Sequence, residues 1–450
     1  MQNTSSSWRL PWFLIVYSVF ILSILPFQSL WLDEILQLLA TRSNWTTLIN
    51  GYATHSAGQS PLVPIEQFLT MKLLGYSVWS ARLPAAIASI AAYLGMVKLA
   101  ERAGLNNTYW PLIVFATLPL QLRYATEARP YGQVLCLAIW LTVKGMDILG
   151  SPRLHLRDLL IYLVLLLAGL YTQPFVVFVA VSHAFYSVVR RRARLWPFLF
   201  CLFIAAAAYA PWYFQSHRYW QTEIAASELH FHWQAKLPLV VFRELLGTGY
   251  VGTALLLVSI ILAVKGRRKL RPDTIFWACG AIVPVCLVIA ADACFDYFYA
   301  IRQMIFVLPA FVILATPVFE DLQLPRWKIL TAALILLNLG YDVRWFTKPR
   351  ENWKAAADLM WDRAKTGACV IALPAESLDY YSFFRPELSS RICDASTLSR
   401  SAGVELAISP YLRDREQQRN TLSRPLVVQG FQLRNPALYE NPRVLEFVRK

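Results

Sequence analysis

The feature that most constrains this chain is a series of long apolar runs separated by short clusters of basic residues. A helix needs about 20 mostly apolar residues to cross the hydrocarbon core of a bilayer. Only 16% of the residues are charged, against about 25% in soluble domains. The sequence therefore predicts a polytopic α-helical membrane protein with about eleven transmembrane helices. The candidate spans are 11–29, 82–101, 109–124, 131–149, 157–171, 174–189, 196–213, 248–264, 274–291, 300–318 and 327–345.

The basic clusters predict how the chain is oriented. Arg190–Arg194 and Lys265–Arg271 lie between apolar runs rather than on one face or arm. The net charge of +15 therefore does not indicate a nucleic-acid partner. Loops rich in Lys and Arg stay on the cytoplasmic side of a membrane, where they also attract anionic lipid. The prediction is a multi-pass plasma (inner) membrane protein with its N-terminus in the cytoplasm and its C-terminus outside.

Two of the long segments predicted to lie outside interrupt the apolar runs. The first, 30–80, contains the amphipathic stretches Trp31–Ala40 and Ile65–Leu74. Such stretches are typical of helices that lie in the membrane interface. The second, 214–247, is rich in aromatic residues and histidine. We expect this second segment, together with the C-terminal tail, to shape the choice of acceptor.

The third outside segment, 346–450, is a polar tail that follows a transmembrane module over 1–345. Its apolar runs Ala368–Leu373 and Leu426–Val428 predict buried strands, and helical patterns flank the first of them. We expect a small soluble α/β domain. Cys369 and Cys393 could form a disulfide if this domain is exported, because disulfides persist in oxidising compartments.

Two adjacent carboxylates, Asp33 and Glu34, come directly after the first candidate span. Acidic groups at a membrane boundary are costly and often serve a function. The structural alternative is that Asp33 caps the helix that follows and that Glu34 is an exposed acid of its first turn. Both interpretations remain open from spacing alone.

A second polar cluster occupies the turn between the third and fourth candidate spans, on the side predicted for Asp33. Arg123, Glu127, Arg129 and Tyr131 lie within nine residues. Snorkelling basic side chains and an interfacial aromatic belt explain Arg123 and Tyr131 well. They explain Glu127 poorly, and this acid is the reason to expect a functional site here.

Four further residues, at three places in the chain, are weaker candidates. The segment that contains His55 and Gln59 leads into the amphipathic stretch Ile65–Leu74, and an ordinary turn is the simpler interpretation. Arg302 enters the tenth candidate span from outside and either snorkels or holds an anion. Gln173 lies in the turn between the fifth and sixth candidate spans and could face the same site.

The order of these motifs resembles that of the membrane glycosyltransferases with the C-type fold. The similarity is greatest to the bacterial branch of the protein mannosyltransferase family (glycosyltransferase family 39-like), which includes the lipid A aminoarabinose transferase. The motifs that carry the resemblance extend over nearly the whole chain. They are Asp33–Glu34, Ser60–Leu62, Leu74–Pro84, Glu127–Tyr131 and Glu351–Ala357.

The resemblance implies a polyprenyl-phosphate-linked sugar as donor and transfer outside the cytoplasm. Asp33 would be the base for the acceptor hydroxyl, with inversion at the sugar carbon, and Glu127 would assist it. Arg129 and Arg302, with Arg123, would hold the donor phosphate. This chain has Gln173 where relatives often place a histidine, and Gln303 where they often have a tyrosine after the arginine.

The remaining site predictions concern the sugar, the acceptor and a metal ion. We expect substrate contacts from Glu34, His55, Gln59, Tyr131 and Gln173. A divalent cation held by Asp33, Glu34 and Glu127 could share the charge of the phosphate. The acceptor, whether a glycan, a lipid or a protein, is left open by the sequence.

The sequence also allows two alternatives from other functional classes. A transporter or flippase of lipid-linked sugars would share the spans and the basic loops, but it predicts ionisable residues within several spans and often inverted repeats. The conspicuous charges here lie at span boundaries. A non-catalytic assembly protein would tolerate replacement of the carboxylates.

Overall fold

The fold is described from a computed structural model. The described residues are 9–54, 60–105, 109–226, 272–295, 301–321, 325–348, 350–410 and 423–449, together with isolated positions between 243 and 261. Two compact units emerge. The helical unit comprises Met1–Leu25 and Asn44–Thr347, and the sheet unit comprises Pro26–Ser43 and Lys348–Lys450.

The helical unit is built from α-helices of 7 to 32 residues. Their bounds are Arg9–Ile24, Trp45–Thr54, Leu62–Leu74, Val78–Arg102, Tyr109–Ala116, Pro119–Ala125, Tyr131–Gly150, Leu156–Thr172, Val177–Arg190, Leu195–Ala226, Pro272–Phe295, Leu308–Asp321 and Pro325–Thr347. Short 3-10 helices at Pro174–Val176, Arg192–Arg194 and Ile301–Val307 connect some of them.

Several of these helices have the composition of membrane spans. Among the described residues, four are long and apolar enough to cross a bilayer, judged by length and composition. They are Val78–Arg102, Tyr131–Gly150, Arg192–Ser216 and Thr274–Ala291, and shorter apolar helices occur at Trp12–Ile24, Pro174–Arg190 and Ile301–Ala315. The count of about eleven spans stays a prediction. Most of the eighth candidate, 248–264, lies outside the described residues.

The third candidate span, 109–124, is wrong as a single helix. The structure has two short helices, Tyr109–Ala116 and Pro119–Ala125, with Leu118 in an extended conformation between them. Pro119 supplies no backbone N–H and disfavours a helical conformation in the residue before it. The Thr117 hydroxyl donates to the Ile113 carbonyl at 2.9 Å. The break positions the second helix, which leads into the polar cluster.

The sheet unit contains a four-stranded sheet, which confirms the small α/β fold expected for the tail. The strands are β1 (Ala368–Leu373), β2 (Gly403–Ile408), β3 (Phe431–Glu440) and β4 (Arg443–Arg449). Their order is β1-β2-β4-β3, with β1 parallel to β2 and the other pairs antiparallel. Helices occur at Leu32–Leu39, Trp353–Lys365, Leu378–Ser382 and Ala395–Arg400, and 3-10 helices at Ala40–Arg42, Ala375–Ser377 and Pro386–Arg391.

The two strands predicted in the tail have different outcomes. β1 has the bounds that the apolar run predicts. The prediction for Leu426–Val428 is wrong, because 423–428 is helical and Val427 and Val428 are exposed. This turn of helix ends at Gly430, whose φ of 89° is favourable only for a residue without a side chain. Strand β3 begins at the next residue.

Cys369 and Cys393 form a disulfide, with Cα atoms 5.1 Å apart. The pair was expected only for an exported domain. Cys393 is held beside β1, since its backbone N–H donates to the Val370 carbonyl at 3.0 Å. The bond therefore ties the segment after the 3-10 helix Pro386–Arg391 to the first strand.

The helix Leu32–Leu39, called the Asp33 helix below, belongs to the sheet unit. Its apolar residues Ile35 and Leu38 are fully buried. It contacts the helix Leu378–Ser382, and the Arg42 guanidinium that follows it lies 4.6 Å from the Phe383 ring centroid. This packing differs from the interfacial placement predicted for Trp31–Ala40, since the apolar face is covered rather than open to lipid.

The second amphipathic stretch fits its prediction better. The helix Leu62–Leu74 exposes Leu69, Leu73 and Leu74. Exposed leucines on one helix are what an interfacial helix presents to lipid. Its interfacial position remains a prediction.

Candidate active site

The polar cluster of the helical unit is formed by a tight turn between two helices. The helix Pro119–Ala125 is followed at once by Thr126, whose backbone N–H donates to the Arg123 carbonyl at 3.1 Å. The next helix begins at Tyr131, directly after Pro130. Proline suits this position because its fixed φ matches the first turn of a helix. The turn brings Arg123, Glu127, Arg129 and Tyr131 together, as the sequence predicts.

Glu127 and Arg123 form a partly buried ion pair. Arg123 Nε lies 3.0 Å from Glu127 Oε1, and Glu127 is only 1% exposed. The guanidinium also stacks over Trp345, 3.7 Å from the ring centroid. A buried carboxylate is tolerated when a cation pairs with it, so Glu127 holds the Arg123 side chain in one orientation.

Tyr131 is a second orienting group, and it connects the turn to a distant segment. Arg302 Nε donates to the Tyr131 hydroxyl at 3.1 Å. The guanidinium carbon of Arg129 lies 6.0 Å from the Tyr131 ring centroid. Arg302 is part of the 3-10 helix Ile301–Val307, and the α-helix of the tenth candidate span begins only at Leu308.

A cavity of about 350 Å³ opens beside these residues. Three arginines line it, namely Arg123, Arg243 and Arg302. The other lining residues are Pro119, Leu120, Tyr124, Gly249, Ile301, Tyr341 and Trp345. Small-ligand sites are typically concave, of a few hundred Å³ and mostly apolar with a few placed polar groups. Guanidinium groups are well suited to phosphate, which they bind through paired N–H donors.

The arginines that line the cavity differ in two ways from those predicted to hold a phosphate. Arg129 does not line it, although it lies near Tyr131. Arg243 does line it and was not predicted. It is one of three basic residues in the segment 214–247, with Arg218 and Lys236, and no motif in the sequence distinguishes it from them.

Gln173 lies near the same end of the helical unit. It follows the helix Leu156–Thr172, is 8% exposed and does not line the cavity. Its side-chain Oε1 is buried and has no hydrogen-bond partner among the described residues. The 3-10 helix Pro174–Val176 that follows it contacts Ile301–Val307. A donor such as a sugar hydroxyl would satisfy this oxygen. His55 and Gln59 lie outside the described residues.

A buried polar pair on the helix Pro325–Thr347 was missed. Asn338 and Asp342 are 0% and 5% exposed, and they lie one turn apart on one helix face. Within the described part of the chain, Asn338 Oδ1 and Asp342 Oδ2 have no hydrogen-bond partner. The sequence feature that could have indicated this pair is an acidic residue, Asp342, inside the last candidate span. Asp342 adjoins Tyr341, which lines the cavity.

The Asp33 helix presents the second set of predicted site residues, in the sheet unit. Asp33 is its second residue and is partly exposed, whereas Glu34 is fully buried. Glu34 Oε2 accepts a hydrogen bond from the Trp31 backbone N–H at 3.2 Å. A glutamate that reaches back to the residue before its helix stabilises the helix start. The structural alternative, in which Glu34 is an exposed acid of the first turn, is therefore wrong for Glu34.

The described residues contain no group of three or more His, Cys, Asp or Glu side chains that could hold a metal ion. Of the predicted ligands, Glu34 engages the Trp31 N–H and Glu127 engages Arg123. A divalent cation would have to compete with both contacts.

The fold is similar to that of several solved structures. ArnT from Cupriavidus metallidurans, solved bound to undecaprenyl phosphate, superposes with a TM-score of 0.63 at 12% sequence identity. The alignment covers 98% of this chain and 98% of ArnT. The C-type glycosyltransferase fold that the sequence resemblance predicts is confirmed.

Two further structures share the architecture over part of their own length. Arabinofuranosyltransferase AftD from Mycobacteria has a TM-score of 0.52 at 14% identity, covering 80% of this chain and 29% of AftD. The archaeal oligosaccharyltransferase AglB from Archaeoglobus fulgidus, solved with an inhibitory peptide and a dolichol-phosphate, has a TM-score of 0.52 at 9% identity. That alignment covers 90% of this chain and 70% of AglB.

Comparisons based on sequence alone give no match. No protein-family model matches the chain. No curated protein sequence matches it either.

Proposed function

We propose that this chain is a glycosyltransferase that moves a sugar from a polyprenyl-phosphate donor to an acceptor hydroxyl. The observation that carries the proposal is the cavity lined by Arg123, Arg243 and Arg302, in a chain with the fold of ArnT. ArnT has been solved with undecaprenyl phosphate and AglB with a dolichol-phosphate. A phosphate on a polyprenyl lipid is the ligand chemistry common to both structures.

The arginines would bind the donor phosphate and stabilise it as it leaves. Charge develops on the phosphate when the bond to the sugar breaks, and fixed cations lower the energy of that state. Arg302 is oriented by Tyr131, and Arg123 is oriented by Glu127 and Trp345. Side chains that are already oriented lose little entropy on binding. Glu127 therefore acts through Arg123 in this proposal, as a positioning residue.

Asp33 would be the general base for the acceptor hydroxyl. A base on the sugar face opposite the leaving group gives a single displacement with inversion. A phosphate monoester needs little proton donation when it leaves, because its second pKa is about 6. The base is therefore the main proton-transfer group that the reaction requires.

A divalent cation bound to Asp33, Glu34 and Glu127 would supply additional charge stabilisation. The contacts of Glu34 and Glu127 with Trp31 and Arg123 leave less capacity for it. No proposed step depends on a cation.

The disulfide supports a location outside the cytoplasm for the sheet unit. Cytosolic thiols are kept reduced, so a structural disulfide favours an exported domain. We propose a plasma (inner) membrane protein with its active site on the outer face. Membrane lipid would surround the spans, and the acceptor would be a glycan, a lipid or a protein of the envelope.

A lipid-linked-sugar transporter is the second candidate. The buried pair Asn338 and Asp342 favours it, because ionisable groups within spans often mark a transport path. A transporter would move the donor without breaking the bond between sugar and phosphate. Release of free polyprenyl phosphate by purified protein therefore distinguishes the two functions.

The direct test of the cavity is binding of undecaprenyl phosphate to purified protein in nanodiscs. Arg302→Gln and Arg123→Gln should each weaken binding about tenfold or more, because each removes a charge-assisted contact. Arg157→Gln, at an exposed position of the helical unit, is the matched control and should bind normally. Equal affinity in all four proteins would remove the cavity from the donor site.

A further inference from the structure

The Asp33 helix is too short to hold its position alone. It has eight residues, and isolated helices below about 12–15 residues are marginal in water. Its first backbone N–H groups have no partner within the helix. The orientation of Asp33 therefore depends on what else contacts the start of this helix.

Glu351 makes that contact from the far end of the chain. Its Oε2 accepts a hydrogen bond from the Leu32 backbone N–H at 3.2 Å, across 319 positions of sequence. The same oxygen accepts from Trp353 Nε1 at 2.8 Å. A carboxylate at the start of a helix also faces the positive end of the helix dipole. Arg350 adds a cation–π contact, 5.5 Å from the Trp31 ring centroid.

The residues that follow Glu351 are held by hydrogen bonds and by packing. Asn352 caps the helix Trp353–Lys365, since its Oδ1 accepts from the Ala355 N–H at 3.0 Å. The Asn352 backbone N–H donates to the Asn441 carbonyl at 3.0 Å, which ties it to the sheet. Trp353 is fully buried and packs on Tyr381, with ring centroids 5.0 Å apart.

We propose that Glu351 is a positioning residue that sets the orientation of Asp33 by holding the Leu32 peptide in place. The inference rests on the proposed function, in which Asp33 is the base. It assigns a role in catalysis to the segment after the last candidate span, although Glu351 itself need not contact substrate. What Glu351 supplies is an acceptor oxygen at a fixed distance, and its negative charge is secondary.

Three substitutions separate these contributions. Glu351→Gln keeps an oxygen at the same distance from both donors, so it should retain at least about half of the wild-type kcat. Glu351→Asp keeps the charge but shortens the side chain by one methylene. Glu351→Ala removes the acceptor. Glu351→Asp and Glu351→Ala should each lower kcat about tenfold or more, because neither keeps an acceptor oxygen at hydrogen-bond distance from the Leu32 N–H.

The assay is release of polyprenyl phosphate from a polyprenyl-phosphate sugar by the full-length protein, with Glu387→Ala as the control. Glu387 is an exposed acid of the sheet unit, and its substitution should leave kcat unchanged. The KM for the donor should stay within about twofold in every Glu351 variant, because the proposed phosphate contacts are elsewhere. A purely structural role would instead lower the amount of folded protein at unchanged kcat.

A double variant links the effect to Asp33. Adding Glu351→Ala to Asp33→Asn should reduce the residual activity no further, because the two residues act on one step. The inference is overturned if Glu351→Ala has the wild-type kcat, or if Glu351→Gln is as poor as Glu351→Ala. It is also overturned if the double variant loses activity additively. Absence of release by the wild-type protein would instead overturn the proposed function.

Discussion

Arg302 donates from Nε to the hydroxyl of Tyr131 at 3.1 Å, although 171 positions separate the two residues in the sequence. The contact joins the 3-10 helix Ile301–Val307 to the first residue of the helix Tyr131–Gly150. It fixes one of the three arginines that line the cavity. An orientation of this kind is what phosphate recognition needs, since the guanidinium donates its N–H bonds in one plane.

Removing the Tyr131 hydroxyl should loosen Arg302 without changing the charge of the cavity. We expect Tyr131→Phe to raise the donor KM about tenfold, the effect of one hydrogen bond to a charged group, with a smaller change in kcat. Steady-state kinetics with a polyprenyl-phosphate sugar measure both. Tyr76→Phe, at an exposed tyrosine of the helical unit, should behave as wild type. An unchanged KM in Tyr131→Phe would mean that the contact has no part in donor binding.

Glu127 should act on the donor only through Arg123. Glu127→Gln and Arg123→Gln are each expected to weaken binding of undecaprenyl phosphate, and the double variant should be no weaker than Arg123→Gln alone. Residues in one ion pair show this non-additivity. Binding to protein in nanodiscs provides the measurement. Additive losses would show that Glu127 contacts the donor or a cation independently of Arg123.

The sheet unit should lose stability as the pH rises, because of Glu405. Burial, together with the nearby Glu446 carboxylate, raises the pKa of Glu405 to about 8, and Arg363 opposes the shift. Glu405 and Glu446 face each other across β2 and β4. Glu446 also lies 3.6 Å from Arg363 and 3.8 Å from Arg434.

The direction in which stability changes with pH follows from the linkage between protonation and folding. In the unfolded chain Glu405 ionises at about pH 4.3. In the folded protein it keeps its proton up to about pH 8. The contribution of the Glu405 carboxyl to the free energy of unfolding is therefore fully present below about pH 4.3, and it is lost as the pH rises through 8. Glu405→Gln should therefore unfold at a higher temperature than wild type at pH 8, with little difference near pH 4.5. Calorimetry of both proteins at the two pH values measures this difference. Unfolding temperatures that change with pH in parallel in wild type and Glu405→Gln would contradict the prediction.

The oxidation state of Cys369 and Cys393 in cells tests whether the sheet unit lies outside the cytoplasm. The two disulfide-bonded cysteines are 24 positions apart, so removing the bond should cost about 3 kcal/mol of unfolding free energy in the chain-entropy model. Alkylation of intact cells should find both thiols blocked if the sheet unit is outside. Cys136, a free cysteine of the helical unit, is the control for alkylation after unfolding. Two free thiols in Cys369 and Cys393 would place the sheet unit in a reducing compartment.

The sequence predicted local features better than long-range ones. The strand Ala368–Leu373 was predicted with its observed bounds, because a short apolar run flanked by polar residues has few other solutions. The turn that gathers Arg123, Glu127 and Tyr131 was predicted because these residues are close in the chain. The break before Pro119 had a visible local signal that the apolar composition outweighed.

What the sequence did not predict depends on contacts between distant segments. The Asp33 helix has an amphipathic pattern that suits a lipid interface and a protein surface equally well. Its packing in the sheet unit is determined by Glu351 and by the helix Leu378–Ser382, hundreds of positions away. Arg243 likewise reaches the cavity from a segment that has no motif of its own.

The most direct test of the central claim is the rate at which purified protein transfers sugar from a polyprenyl-phosphate donor, compared between wild type and Asp33→Asn. A positioned base typically contributes about 10²–10⁴-fold. We predict a loss of that size in Asp33→Asn, with undecaprenyl phosphate still bound at wild-type affinity. Near-normal turnover in Asp33→Asn, or no release of polyprenyl phosphate by the wild-type protein, would contradict the claim.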